Sequence, residues 1–347
     1  MRIAQIAPLT EAVPPDGYGG TERIVSYVTE ELVRRGHHVT LFASGDSRTD
    51  ARLVAPASHA LRRDPGAREP ISEHVQELGM VFGQAERFDV IHSHIDYLAF
   101  PAARLSPTPT VHTLHGRLDL PHQVPLFRQY TDVALVSISE AQRTPLRHLP
   151  LNWIGTVHHG VPVDEYPYSA RADRYLAFVG RMSPEKRPDL AIAVARRAGV
   201  SLKLVAKVDD ADREYYERNI RPQLDGPGIE FLGEIDETGK RALMANALAL
   251  LFPIDWPEPF GLVMIEAMAC GTPVIARARG AVPEIVDPGV TGFIGETVDD
   301  LVAAVRQVDG LDRAACRRRA KARFTVTRMV DQYEALYRRL AESRRAA

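Results

Sequence analysis

The sequence predicts an α/β protein of two doubly wound, parallel-sheet domains in tandem. Three observations carry this. Short apolar runs alternate with amphipathic stretches along the chain, the rhythm of strand and crossover helix. That rhythm stops in an irregular stretch at residues 159–167, with Pro162 and Pro167, and then starts again. At 347 residues the chain exceeds what one ordinary hydrophobic core organises.

The first half opens with a strand at residues 2–7 and a loop containing Pro8, Pro14, Pro15, Gly17, Gly19 and Gly20. Thr21 is expected to cap the next helix, which carries Ile24, Val25, Val28, Leu32 and Val33 at helical spacing and closes at Gly36. A strand follows at 39–43. Gly19 and Gly20 would let backbone approach a ligand at the helix start, although a plain turn fits them equally well. They do not form the three-glycine dinucleotide fingerprint, so a nicotinamide cofactor is not supported. Residues 45–70 read as one long loop and 71–88 as a helix. Further strands are expected at 90–92, 110–114, 133–138 and 152–158.

Ligands bind at the carboxyl ends of strands in such sheets, which makes candidates of His94, Asp96, His112, His115 and Ser139. His92, His94, His112 and His115 raise the question of a metal. Their spacing falls on strands and turns, no Cys accompanies them and no helical His-Glu-x-x-His pattern is present, so none is expected. His92 and His112 alternate with apolar residues and fit satisfied interior histidines. His115 sits where a strand gives way to a Gly-containing turn, a position that often carries function.

The second half repeats the pattern, with strands at 175–179, 201–206, 229–231 and 249–252 and helices from Asp189, at 210–220 and at 237–246. Arg181 and Lys186 flank the turn after its first strand. Two cations beside a helix start make a good diphosphate clamp, Arg by its planar fork and Lys as a point charge; a solvated charged turn is the plainer alternative. After the strand at 248–252, Pro253, Pro257 and Pro259 hold the chain extended. Pro259 and Gly261 are expected to open a helix with Leu262, Ile265, Met268 and Ala269 on its apolar face, ended by Gly271. Glu258 then precedes a helix N-terminus and Glu266 lies about two turns inside. The helix start suits an anion, the first carboxylate suits sugar hydroxyls beside it, and the second suits a vicinal diol such as a ribose. The bland alternative is a helix-start carboxylate plus an exposed helical Glu. A strand at 272–276 and a turn at 280–285 follow.

Residues 297–347 read as helical and basic, with Arg317, Arg318, Arg319, Lys321 and Arg323 on a solvated face. A basic amphipathic helix can lie on a membrane surface, but membrane contact is not expected. No run approaches the ~20 apolar residues that span a bilayer. Hydrophobic residues make up 45% and charged residues 25%, and the net charge of −2 argues against nucleic acid as a partner. Two cysteines, Cys270 and Cys316, make no disulfide framework. The N-terminus enters a strand at once, so a cytoplasmic location is expected.

Four pieces fall in one order: Gly19-Gly20-Thr21-Glu22; Thr113-Leu114-His115-Gly116; Gly180-Arg181 with Glu185-Lys186; and Glu258-Pro259-Phe260-Gly261-Leu262 with Glu266. Together with Gly271-Thr272-Pro273-Val274 they resemble family 4 of the retaining glycosyltransferases, and the resemblance covers nearly the whole chain. It implies the GT-B fold, two Rossmann-like domains facing a central cleft. Residues 1–160 would be the acceptor-side domain, 161–324 the nucleotide-sugar domain, and 325–347 a helix returning toward the first domain. It also implies roles. Arg181 and Lys186 would bind the donor diphosphate and neutralise the leaving group. Glu266 would hold the ribose. Glu258 would contact donor-sugar hydroxyls, with the Phe260, Gly261 and Leu262 backbone nearby. Gly19 and Gly20 would lie under the phosphates and acceptor, and His115 would touch the donor sugar near its reacting carbon. No metal or other cofactor is implied. The partners would be a nucleotide-sugar donor, UDP-sugar first and GDP-sugar second, and a small-molecule or glycan acceptor.

Within the family the chain resembles actinomycete secondary-metabolism enzymes, so antibiotic or cell-surface glycan biosynthesis is the expected setting. Two departures stand out. His159-Gly160 replaces a common Asn-Gly pair. Lys207-Val208-Asp209-Asp210 replaces a Gly-rich turn near the base, which leaves the nucleotide open. A nucleotide-sugar epimerase on the same fold and a non-catalytic sugar-nucleotide-binding protein are the alternatives. Donor sugar, acceptor and oligomeric state are not specified by these motifs.

Overall fold

The computed structural model describes residues 1–63 and 70–346. The chain divides into two compact units, Met1–Gly160 with Val326–Ala347, and Val161–Thr325.

The first unit is built on a seven-stranded parallel sheet: β1 (Arg2–Ile6), β2 (His38–Phe42), β3 (Arg52–Val54), β4 (Val90–Ser93), β5 (Thr110–Thr113), β6 (Ala134–Ser137) and β7 (Trp153–Thr156), in the order β3-β2-β1-β4-β5-β6-β7. The chain winds one way from β1 to β3 and the other way from β4 onward. The switch point therefore lies between β1 and β4, whose registers pair Ile3 with Val90 and Ile6 with Ser93. β4 and β5 are buried along their whole lengths, as helix-covered parallel strands should be. The glycine loop follows β1, His94 follows β4 and His115 follows β5, so strand order delivers all three to one edge.

The second unit has six parallel strands: β8 (Tyr175–Arg181), β9 (Ser201–Lys207), β10 (Ile229–Gly233), β11 (Ala249–Phe252), β12 (Val274–Ala276) and β13 (Gly292–Ile294), in the order β10-β9-β8-β11-β12-β13. Its switch point lies between β8 and β11, which pair Ala249 with Leu176 and Leu250 with Ala177. Its core packs Leu176, Phe178, Leu202, Leu204 and Leu251 against Ile192 and Val194 from one helix and Leu301 and Val305 from another.

Several expectations are corrected. Residues 45–70 are not one loop: β3 pairs with β2 and a 3₁₀ turn spans Leu61–Arg63. A three-residue strand is too short to show a period. Residues 64–69 lie outside the described residues, and the next helix, Pro70–Phe82, starts before 71 and stops short of 88. Gly83 follows it, and only a 3₁₀ turn, Ala85–Arg87, lies beyond. Thr21 is not a cap. The helix Gly20–Arg34 begins two residues earlier than a Thr21 cap would place it, with Gly19 as N-cap and no side-chain cap bond. The stretch 210–220 is a chain of short 3₁₀, α and π turns. The helix after Glu258 runs over Leu262–Ala269, which puts Glu266 little more than one turn in. It is buried on almost every side and presents no apolar stripe.

The basic C-terminal segment is only partly a solvated face. Arg317 donates to the carbonyls of Tyr166, Ala269 and Val163, and Arg323 to that of Glu284, so these side chains tie loops together. Arg318 is exposed, paired with Asp312. The final helix, Val326–Ala346, belongs to the first unit, where Tyr333 and Tyr337 are fully buried. Arg35 pairs there with Glu334 and Asp331. Among the described residues no helix is long and apolar enough to cross a membrane.

Candidate active site

In the second unit, the turns after β8 and β11 meet because those strands are neighbours at the switch point. Lys186 Nζ forms an ion pair with Glu258 Oε2. The Trp256 indole N–H donates to the same oxygen at 2.9 Å. Lys186 Nζ also lies 4.9 Å from the Trp256 ring centroid and 5.6 Å from that of Phe252, within cation–π range. Backbone bonds join the two turns: Asp255 N–H donates to Glu185 O at 2.9 Å. Only 8% of Glu258 is exposed, and a carboxylate so buried requires this pairing.

A third turn holds Glu258 from behind. Ala281 N–H donates to Glu258 O at 2.9 Å. A Cβ on Gly280 would collide with the backbone N and O of Glu258 and come within 2.7 Å of Pro257 C, so only glycine permits this approach. Gly261, at φ +86°, turns the chain into the helix, and Leu262 is its first residue. The Phe260 side chain points into packing, edge-on to Phe324 at 6.2 Å, and leaves its backbone for the site.

Glu266 is 4% exposed, which rules out the solvated helical Glu. Its carboxylate accepts from Tyr166 Oη at 3.2 Å and from Lys240 Nζ at 3.2 and 3.3 Å. Arg181, the last residue of β8, faces Glu185 at 3.2 Å, Asp212 at 3.6 Å and Asp209 at 3.8 Å. Burial holds the Asp212 carboxyl above its usual range against the pull of Arg181. The unusual Lys207–Asp210 stretch thus places Asp209 in a carboxylate collar around Arg181, with Lys207 2.6 Å from Asp209.

In the first unit, Gly19 sits at φ +145°, where a Cβ would press on Pro15 Cβ at 2.8 Å, and Gly20 is the first helical residue. Arg23 donates to Gly17 O at 2.9 Å and pins the loop. Glu22 is buried beneath it. Burial, with Glu11 adding repulsion, pushes its carboxyl up to about 7.

The structure brings His94, Asp96 and His115 together. His115 N–H donates to Asp96 Oδ1 at 3.0 Å, and His115 Nε2 lies 2.9 Å from His94 Nδ1. The His159 ring stacks on His115 with centroids 5.2 Å apart. Burial pushes His115 down to about 3, so its imidazole is neutral. His92 is a satisfied interior histidine, between Tyr337 Oη at 2.6 Å and Thr113 Oγ1 at 2.7 Å. His112 is not satisfied as expected: neither ring nitrogen has a hydrogen-bond partner among the described residues, and its ring meets Phe100 edge-on at 4.8 Å. Burial keeps it neutral, at about 3. Ser139 is a helix cap, accepting from Gln142 N–H at 3.0 Å. Among the described residues no three His, Cys, Asp or Glu side chains are grouped to hold a metal.

Sequence reading missed Trp256, Lys240, Tyr166 and Gln5, whose Oε1 lies 2.9 Å from His94 Nε2. Trp256, beside two prolines and Glu258, carried a usable signal. Lys240 and Tyr166 reach Glu266 from 26 and 100 residues away, and no local pattern marks them.

Two family models match the chain: Glycosyltransferase Family 4 over residues 18–165 and Glycosyl transferases group 1 over residues 169–323. A D-inositol 3-phosphate glycosyltransferase of Mycolicibacterium smegmatis is 26% identical, covering 99% of this chain and 92% of the relative. Among solved structures, a glycosyltransferase of avilamycin A biosynthesis superposes with a TM-score of 0.75 at 24% identity, covering 99% of this chain and 98% of that one. Anabaena HepE, solved with UDP-glucose, superposes with a TM-score of 0.74 at 18% identity over 100% of both chains. Both structures share the two-domain GT-B fold. The chain belongs to the family 4 glycosyltransferases.

Proposed function

We propose that this enzyme transfers a sugar from a UDP-sugar to a hydroxyl of a small-molecule or glycan acceptor, with retention at the anomeric carbon. The observation that carries the reading is the convergence of Lys186 and Glu258 from separate turns at the β8/β11 switch point. An ammonium for an anionic leaving group and a carboxylate for hydroxyls side by side are what a sugar diphosphate requires.

In this reading the second unit is the nucleotide-sugar domain. Lys186 and Arg181 meet the diphosphate and neutralise it as it departs. Glu258 takes sugar hydroxyls beside the Phe260, Gly261 and Leu262 backbone, and Glu266 takes the ribose diol. The first unit serves the acceptor and contributes Gly19, Gly20 and His115. The carboxyl of Glu22, close under Gly19, suits a hydroxyl-bearing acceptor better than a phosphate at this loop. Attack on the same face as the leaving group, with a departing phosphate oxygen taking the acceptor's proton, gives retention without a protein nucleophile. The UDP-glucose complex of HepE supports UDP as the nucleotide. The avilamycin neighbour and the inositol phosphate relative support a secondary-metabolite or small polyol acceptor. The cytoplasm is the compartment where such donors are made.

The test is Lys186→Ala and Glu258→Ala, each checked for an intact fold by circular dichroism. A loss of 10²–10³ in transfer rate is expected for each, the size of losing one charge-stabilising group. Full transfer in both variants, or an epimerised donor in the absence of acceptor, overturns the reading. A thermal-shift series of UDP-, GDP-, ADP- and TDP-sugars identifies the donor, with UDP expected to shift the transition most.

A further inference from the structure

A buried chain of hydrogen bonds in the first unit ends at His115, and its polarity can be worked out atom by atom. Gln5, on β1, stands between Tyr337 of the final helix and His94. Its Nε2 donates to Tyr337 Oη at 3.3 Å, and its Oε1 lies 2.9 Å from His94 Nε2. His94 Nδ1 lies 2.9 Å from His115 Nε2. Gln5, His94 and Tyr337 are all at most 1% exposed.

An amide oxygen only accepts, so His94 Nε2 carries the ring proton. Burial, with nearby histidines adding to it, holds His94 well below its usual range, and the ring is neutral. A neutral imidazole has one N–H, so His94 Nδ1 accepts and His115 Nε2 donates to it. The same rule leaves His115 Nδ1 bare, and that atom is buried from solvent with no hydrogen-bond partner among the described residues, so a ligand reaches it only by displacing what covers it. The other arm agrees. Tyr337, accepting from Gln5, keeps its own proton for His92 Nδ1 at 2.6 Å, and His92 Nε2–H goes to Thr113 Oγ1 at 2.7 Å. A half-turn of the Gln5 amide would reverse the whole run and put the proton on His115 Nδ1.

We propose that Gln5 and His94 are positioning residues that fix His115 in its Nε2–H tautomer, so that His115 meets its ligand through Nδ1 as a hydrogen-bond acceptor. The proposal rests on the reading that His115 touches the donor sugar. It deepens that reading by fixing the ligand group: a hydroxyl or amine is bound there, while an ether or carbonyl oxygen finds no donor.

The experiment is long-range ¹H–¹⁵N correlation NMR on the full chain labelled at histidine, near neutral pH. The His115 signals are assigned by their loss in His115→Gln. The expected result is a protonated Nε2 and a bare Nδ1; a proton on Nδ1 overturns the proposal. In Gln5→Met the tautomer should become mixed, and transfer turnover should fall about tenfold, the scale of one lost hydrogen bond, with UDP affinity unchanged. An unmixed tautomer in that variant overturns the role of Gln5. Should Gln5→Met not fold, the unmutated chain still decides the tautomer. Full transfer in His115→Gln with the expected tautomer would instead sink the sugar-contact reading and leave the tautomer assignment standing.

Discussion

The candidate groups of the two units are kept buried by opposite means. In the first unit burial strips His92, His94, His112, His115 and His159 of charge, and hydrogen bonds to Gln5, Tyr337 and Thr113 satisfy the His92–His94 network. In the second unit charged side chains are paired instead: Lys186 with Glu258, Lys240 with Glu266, Arg181 with three carboxylates. Histidine gives up its proton readily to avoid desolvation, whereas arginine holds its own and a lysine can stay charged when buried only beside a counter-charge. Under the proposed function, the neutral network would meet hydroxyls. In the same reading, a diphosphate would take over the cations of this self-neutralised network from the carboxylates that hold them.

That contrast can be broken or sharpened by experiment. The largest effect is expected for Gly280→Ala, whose Cβ would enter the Glu258 backbone. Overpacking there should cost about 3 kcal/mol in chemical denaturation. A cost below ~1 kcal/mol would mean that the Glu258 loop is not clamped. Next, Lys186→Met leaves Glu258 short of a cation and should cost about 2 kcal/mol. The double variant Lys186→Met/Glu258→Gln should regain most of that stability and none of the transfer activity. Recovery of neither would mean that the pair serves stability more than exchange.

Acidification separates the two regions more gently. The unfolded chain takes up protons on histidine below about pH 6.5, whereas the five buried rings remain bare in the folded state. The unfolded state then binds more protons, so stability falls as pH falls, by up to about 1.4 kcal/mol per pH unit for each ring. Glu22 and Glu77, with carboxyls raised to about 7, hold protons in the folded state between about 4.5 and 7 and offset part of this loss. Denaturant midpoints should therefore drop between pH 7 and pH 5; a flat or rising midpoint would contradict the neutral network. The smallest effect is expected for Tyr337→Phe, about 1 kcal/mol, from removing the hydroxyl between Gln5 and His92.

Much of the architecture was readable along the chain. Strand and helix alternate with short connections, and the apolar runs of the parallel sheets show along the chain except at the three-residue β3 and β13. Lys186 and Glu258 were visible as residues following strands, because Pro184, Pro257 and Pro259 mark the turns that carry them. What β3 and the Gly19 cap share is a cause outside local pattern. β3 is a strand because β2 offers its edge, and the helix starts at Gly20 because the left-handed turn at Gly19 redirects the chain. Glu266 shows the same limit: its helix was legible, but Lys240 and Tyr166 arrive from distant segments.

Local chemistry set which residues sit at strand ends, because period, proline and glycine act over a few bonds. Which of those ends touch was left to strand order: β8 beside β11 unites Lys186 with Glu258, and β1 beside β4 unites Gln5 with His94. Charge and protonation followed from that assembly, since burial and partners exist only once the sheets have formed.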